Sequence, residues 1–429
     1  MKTFVGFGFG PIQSALFLFE AHQSGNFSRY VVAEIDPVLV KAVRDNGGAY
    51  TINIARKDRI DQVTVKGVEL YNPREESDRA SILDAVAEAD ELATALPSVN
   101  FFDSGDQTCV AAMLAEGLSR RDARRPAIIY AAENHNHAAE ILCEKIGKYA
   151  PGALTNVQIL NTVIGKMSGI ITEADVMRRM GLARITPDTP RAILVEEFNR
   201  ILISRITLPN YCRGIEVFVE KDDLLPFEEA KLYGHNAIHA LIGYLADLKG
   251  LATMAQAADH PDIMRTARDA FIHESGAALI RKHANLDDPL FTEAGYAAYA
   301  DDLLDRMVRP NLNDLVSRVI RDHVRKLGYD DRLYGTMRLA LRYGIEPVHL
   351  ARGAAAAVLS LLRHRETAKP GPVLPAAGQR LTEDSLGALL RSIWPGDAGE
   401  TDHLIDLTWT ALQRVQHQDA GQEGRSRSR

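Results

Sequence analysis

Near residue 205 the period of the chain changes, and no other feature limits its fold as much. Before that point apolar runs of strand length alternate with stretches of helical spacing; beyond it apolar residues recur every three or four positions almost to the end. Runs at 3–7, 30–34, 63–68, 127–131 and 157–161 predict strands, with helices over 12–23, 81–89 and 133–148 between them. Such alternation folds as a mostly parallel sheet covered on both faces. The later part predicts helices over 227–249, 261–283, 293–307, 311–327, 331–343, 347–364, 383–393 and 401–416. The expected fold class is therefore α/β followed by all-α, with one domain over 1–205, a helical domain over 206–415, and a polar tail over 416–429 expected to be disordered.

Charge and cysteine usage narrow the function classes. A net charge of −7 argues against a nucleic-acid partner, which requires a basic face. Cys109, Cys143 and Cys212 form no CxxC pair, so neither a disulfide framework nor a zinc site is expected, and no metal is assigned. Lys2 leads directly into a strand, and no apolar run reaches the roughly 18 residues a membrane span needs. The expectation is a soluble, cytoplasmic protein with no membrane partner.

The first strand ends in a glycine turn. Gly6 and Gly8 keep the opening of the dinucleotide motif GxGxxG, but Gly10 and Pro11 stand where its third glycine would fall at 11. Pro11 suits the first position of the following helix, whose N-terminus can hold a pyrophosphate. An ordinary tight turn is the competing reading. Glu34 closes the second strand, where an acid accepts hydrogen bonds from ribose hydroxyls and repels a 2′-phosphate, favouring NAD over NADP. Asp36 is its near rival. Asn134, after the strand at 127–131, lies where open α/β sheets bind ligands, although capping the next helix is an alternative role.

The helix predicted over 227–249 begins polar and continues almost wholly apolar through Ala240-Leu-Ile-Gly-Tyr-Leu-Ala-Asp-Leu248. At about 100° per residue from Lys231, Glu228 falls near 60°, His239 near 80° and Asn236 near 140°. One face thus carries an acid, an amine, an amide and an imidazole. A solvated helix face is the plain alternative, but the apolar continuation calls for burial, and polar side chains entering a buried helix line a cleft.

Lys231, Asn236 and His239, spaced Lys-x4-Asn-x2-His, resemble the signature of the polyol-specific long-chain dehydrogenases, the mannitol dehydrogenase family, and in particular its mannitol-1-phosphate 5-dehydrogenase branch. The likeness runs from the first strand to about residue 365. It includes Ala132-Glu133-Asn134, Glu274-Ser-Gly-Ala-Ala-Leu-Ile280 and Arg325-Lys-Leu-Gly-Tyr-Asp-Asp-Arg-Leu333. It implies a Rossmann-type first domain, a helical substrate domain, NAD as cofactor, and a sugar or polyol substrate, phosphorylated or not, in a monomer or weak homo-oligomer. It also implies roles: Lys231 as general base in place of a metal, Asn134 and Asn236 clamping the reacting oxygen, His239 positioning substrate, and Glu228 relaying protons. A free lysine must drop about three pKa units to act as a base near neutrality.

Arg318, Arg321, Arg325, Lys326 and Arg332 follow in the predicted helix 311–327 and the turn after it. Basic residues of this segment face the cleft in related phosphate-sugar enzymes, which points to Arg321, Arg325, Lys326 and above all Arg332 as anion ligands; a basic surface helix is the alternative. His235 and His323 read as structural or surface histidines. The chain departs from its family at Ile164-Gly165-Lys166, where Val-Asp-Arg is usual. The missing aspartate hints at an altered substrate: a free polyol, a sugar acid, a cyclitol or an opine-type conjugate. A dinucleotide-binding protein that has lost catalysis would show a degraded lysine site, and this one is intact in sequence.

Overall fold

The computed structural model describes residues 2–365, 372–376, 378–395 and 400–426, with side chains described as far as Val415. The chain divides into two compact units, Met1–Leu225 and Pro226–Arg429. The division falls 20 residues beyond the expected boundary at 205, because two short strands after 200 extend the first unit's sheet.

Twelve strands form the framework of the first unit: β1 (Lys2–Phe7), β2 (Phe27–Ala33), β3 (Tyr50–Ala55), β4 (Ile60–Val65), β5 (Val68–Tyr71), β6 (Glu91–Thr94), β7 (Ala127–Ala131), β8 (Val157–Val163), β9 (Ser168–Ile171), β10 (Ala192–Glu196), β11 (Leu202–Ser204) and β12 (Val219–Lys221). They make an eight-stranded sheet in the order β12-β11-β8-β7-β6-β1-β2-β5 and a four-stranded sheet in the order β4-β3-β10-β9. From β8 to β5 every pairing in the large sheet is parallel. Alternate residues of β1 feed opposite cores. Phe4 packs with Val32, Tyr130 and the small sheet's Tyr50, Ile52 and Val195. Val5 and Phe7 pack with Ile82, Leu114 and Ile146 from the helices on the other face. Each such side chain contributes roughly 2 kcal/mol by leaving water.

The small sheet was not expected. The single strand predicted over 63–68 is two strands in two sheets: β4 pairs with β3, β5 with β2, and Gly67 at φ +73° turns the chain between them. Hydrophobic alternation continues across the turn, so period alone hides it.

The second unit is helical. Helices over 225–248 and 261–282 each widen into a π turn, at Ala230–Asn236 and Ala270–Gly276. Glu293–Met307, Tyr334–Arg342, Val348–Arg363 and Glu383–Ile393 follow the predicted spans closely. The helix expected over 311–327 is broken into Val316–Val319 and His323–Lys326, because Asn313 (φ +47°) and Asp322 (φ +60°) take the left-handed conformation that Asn and Asp tolerate best. The final helix runs over Thr401–Ser426, past 416 where a disordered tail was expected; that stretch holds no proline to stop it. Residues 427–429 of that tail lie outside the described residues. Among the described residues no helix is long and apolar enough to cross a membrane.

Candidate active site

In the first unit the turn after β1 opens on a cleft of about 670 Å³, lined by Gly8, Gly10, Glu34, Ile35, Leu96 and Ala132 among others. Gly8 has φ +84°, and a Cβ there would come within 3.1 Å of the Ala95 carbonyl, so both conformation and space require glycine. Gly10 faces open space and starts the helix at Pro11, where Ser14 N–H donates to its carbonyl (2.9 Å). Gly6 does not line the cleft. It is buried in β1, and a Cβ there would meet the Gln13 side-chain amide, whose nitrogen and oxygen are buried without a hydrogen-bond partner.

Glu34 is held rigidly at the end of β2. Its Oε2 accepts Phe9 N–H (2.7 Å) and its Oε1 accepts Asp36 N–H (2.8 Å), leaving lone pairs on both oxygens. Its rival Asp36 is committed elsewhere, capping Pro37–Asp45 and pairing with Arg191. The cleft therefore offers a left-handed glycine turn, a helix N-terminus and one oriented carboxylate, the equipment for a dinucleotide.

Asn134 follows β7 and is exposed. It does not cap the next helix, which starts at Ala138 with His137 at its N-cap. The preceding Glu133 is buried and fixes the strand end, accepting Thr94 Oγ1 and Leu96 N–H at 2.9 Å each; burial raises its pKa. Lys166, beside Gly165, is also buried and reaches the carbonyls of Glu196 and Phe198 and the Asn199 side chain.

In the second unit Lys231 lies on the π turn Ala230–Asn236. A π turn frees backbone groups from the helical pattern, and here the Tyr233 carbonyl takes Ser275 Oγ (2.8 Å) and Thr336 Oγ1 (3.3 Å) instead. Gly234 allows it: a Cβ there would meet Tyr296 Oη at 2.7 Å and Phe271 at 2.8 Å. Lys231 keeps some exposed surface, yet crowding by protein dominates and brings its pKa down to about 8; Glu228 opposes that fall and Arg332 adds to it.

His239 is oriented by a residue that sequence reading missed. Its Nε2 lies 2.8 Å from Asp314 Oδ2, and Arg318 donates twice to Oδ1 of the same carboxylate (2.9 and 2.7 Å). Arg318 is thus engaged with Asp314, and the Asp314–Arg318 spacing of four residues was the available signal. His235 is buried, and burial drives its pKa well down, which fits a structural role.

The basic segment converges in part. Lys326 is buried against the Val319 carbonyl, and burial, then Arg332 and Arg325, bring its pKa down to about 7, with Arg321 adding to the same field. Arg332 Nε donates to Asp331 (2.7 Å), while Arg321 and Arg325 are exposed. The Tyr244 hydroxyl, in the field of Arg332 and Arg325, is buried without a partner. Within this unit Glu228, Lys231, Arg332 and Lys326 therefore influence one another electrostatically.

Residues 223–414 match the model of the mannitol dehydrogenase C-terminal domain. A mannitol-1-phosphate 5-dehydrogenase of Bacillus licheniformis is 30% identical over 76% of this chain and 80% of its own. The fold is similar to that of D-sorbitol dehydrogenase in substrate-free form (TM-score 0.77, 14% identity, 97% of this chain and 93% of that one). It is also similar to that of Pseudomonas fluorescens mannitol 2-dehydrogenase (TM-score 0.68, 14% identity, 97% and 92%). A sequence likeness of that extent, joined to the C-terminal match, decides the assignment: the chain belongs to the mannitol dehydrogenase family.

Proposed function

We propose that this protein is an NAD-dependent dehydrogenase that interconverts a ketose phosphate and a polyol phosphate, such as fructose 6-phosphate and mannitol 1-phosphate, with Lys231 as general base and no metal. The observation that carries the reading is the Lys231 amine, brought to about 8 beside Glu228 and Arg332. A base serves best when its pKa lies near the working pH. The likeness to mannitol-1-phosphate 5-dehydrogenase supports the substrate class.

NAD fits the first unit: the N-terminus after Gly10 would take its pyrophosphate, Gly8 lets the backbone approach, and Glu34 keeps lone pairs for the ribose hydroxyls while repelling a 2′-phosphate. When bound, the nicotinamide supplies the hydride acceptor for the carbinol carbon. Lys231 takes the hydroxyl proton as hydride leaves, and Glu228 passes it toward solvent. Asn236 donates to the oxygen as charge develops on it. His239, with Nε2 committed to Asp314, meets the substrate through Nδ1. Arg332, Arg325, Lys326 and Arg321 hold the phosphate.

Gly165 favours a second reading, the same hydride chemistry on an unphosphorylated polyol, sugar acid, cyclitol or opine-type conjugate, since the side chain the family usually carries there is missing. NADH oxidation with fructose 6-phosphate and with fructose, in wild type and Lys231→Ala, tests both. Turnover of the phosphate alone, lost in the variant, supports the first; turnover of neither, with NADH still bound, rejects it in favour of the second.

A further inference from the structure

The basic segment on which the proposed phosphate site depends has little fold of its own. His323–Lys326 is a single turn, far short of a self-sustaining helix, and Asp322 before it is left-handed. Arg321, Arg325 and Lys326 repel one another across it. Its polar side chains mostly bond within the neighbourhood: Arg325 to Asp322, Arg321 to the Arg318 carbonyl, and Lys326 to the Val319 carbonyl. His323 is the exception. It is buried, and its Nε2 lies 2.9 Å from Ser360 Oγ on the helix Val348–Arg363.

Ser360 is fully buried, and its hydroxyl donates to Asp247 Oδ2 at 2.7 Å. Because that proton goes to the carboxylate, the serine oxygen is left to accept from His323, which fixes Nε2–H as the donor. Asp247 is held in turn: its Oδ1 lies 3.0 Å from His364 Nε2, and Arg363 donates to its carbonyl. The row His323–Ser360–Asp247 thus ties the one-turn segment to two long helices. Burial keeps His323 neutral, its pKa brought down to about 4, with His364 and Lys326 lowering it further and Asp247 and Asp322 opposing. A buried and fully bonded row of this kind fixes geometry closely.

We propose that Ser360 and Asp247 are positioning residues for the anionic end of the substrate, holding His323 and through it Arg325 and Lys326 at the spacing a phosphate needs. The inference rests on the reading of Arg321, Arg325, Lys326 and Arg332 as the anion site, and the test separates the two. The full chain is titrated with inorganic phosphate, followed by thermal shift, for wild type, Ser360→Ala, Ser360→Thr and Arg332→Ala; KM is measured for fructose 6-phosphate and fructose.

Ser360→Ala is expected to weaken half-saturation by phosphate about tenfold, as misplaced binding groups do. KM for the phosphorylated ketose should rise by the same factor, with kcat and the KM for fructose within about twofold, and Ser360→Thr should restore binding. A lower melting temperature with unchanged phosphate half-saturation overturns the proposal. If Arg332→Ala weakens phosphate binding and Ser360→Ala does not, positioning fails and the anion site stands. If neither does, or wild type shows no phosphate-dependent shift, both fall. Asp247→Ala, which removes the acceptor of the Ser360 proton, gives the same readings should Ser360→Ala not fold.

Discussion

The two units place ionisable groups in low-dielectric surroundings in opposite ways. In the first, the acids that burial raises are met by donors: Glu133 by Thr94 and Leu96, Glu91 by Tyr130 (2.9 Å) and the backbone of Gly214 and Ile215, Glu20 by Asn199. None of these lines the cleft; they brace the sheet around a ligand site built from backbone. In the second, two amines, Lys231 and Lys326, are brought down by burial and by neighbouring cations. Satisfied acids give rigidity and ask for nothing more, whereas amines unsettled by their surroundings are ready to exchange a proton or gain from an anion. On the function proposed above, the first unit holds the cofactor and the second carries the groups that react.

The largest test of that division is Lys231→Ala, for which kcat/KM should fall about 10²–10⁴-fold, the range of general acid–base catalysis, while NADH affinity is unchanged. In the wild type, kcat/KM for polyol oxidation should rise with pH and level off above about 8, as the amine loses its proton, and this limb should vanish in the variant. A profile flat from pH 6 to 9 would remove the lysine from its role.

Glu274 sharpens the comparison as an acid of the second unit that burial raises, like Glu133, Glu91 and Glu20 of the first. It accepts the backbone N–H groups of His349 and Leu350 (2.7 and 2.8 Å) at the start of Val348–Arg363, and burial nonetheless raises its pKa to about 7. A raised acid favours its neutral form in the fold, so its stabilising effect is complete below about 4.5 and is lost as pH rises through about 7. At roughly 1.4 kcal/mol per unit, that is about 3 kcal/mol. Denaturant titrations at a series of pH values should show this slope in the wild type and a flatter one in Glu274→Gln.

Arg332→Ala comes next, with a rise of about 30-fold in KM for fructose 6-phosphate and little change for fructose, the loss of a charge-assisted contact. An equal rise for both would make Arg332 a general wall of the site. The smallest effect belongs to the backbone-built unit. Gly8→Ala strains a left-handed residue by about 1–2 kcal/mol, and calorimetry should show NADH binding weakened about tenfold, equally at pH 6 and pH 9. A pH-dependent loss would blur the division between the units.

The sequence revealed most where local chemistry and period agree. The parallel sheet, the glycine turn and Glu34 were legible because each follows from a strand end and the residues that terminate it. The second sheet was not, since β3, β4, β9 and β10 come together from segments more than 100 residues apart and Gly67 interrupts an otherwise continuous apolar run. The break at Asp322 was hidden for a related reason: Asp is unexceptional in a helical pattern, and its left-handed conformation is imposed by what surrounds it. Lys231, Asn236 and His239 stood out because their spacing matches a family signature, and Asp314 left only the i, i+4 trace with Arg318, whereas Ser360 and Asp247 meet His323 across distances that no local pattern encodes.

The π turn at Ala230–Asn236 also carries a consequence for how this helix can change. A wide turn of this kind accommodates one residue more than the regular helix would, so the interval between Lys231 and His239 is a length rather than a mere order of letters. Removing a single residue between 232 and 235 would let the segment relax into ordinary α geometry. Lys231 and Glu228 would keep roughly their facing relative to His239, but the Tyr233 carbonyl would return to the helical pattern and give up its ties to Ser275 and Thr336. A deletion here therefore acts on the contacts that join this helix to its neighbours, where a substitution acts on one side chain.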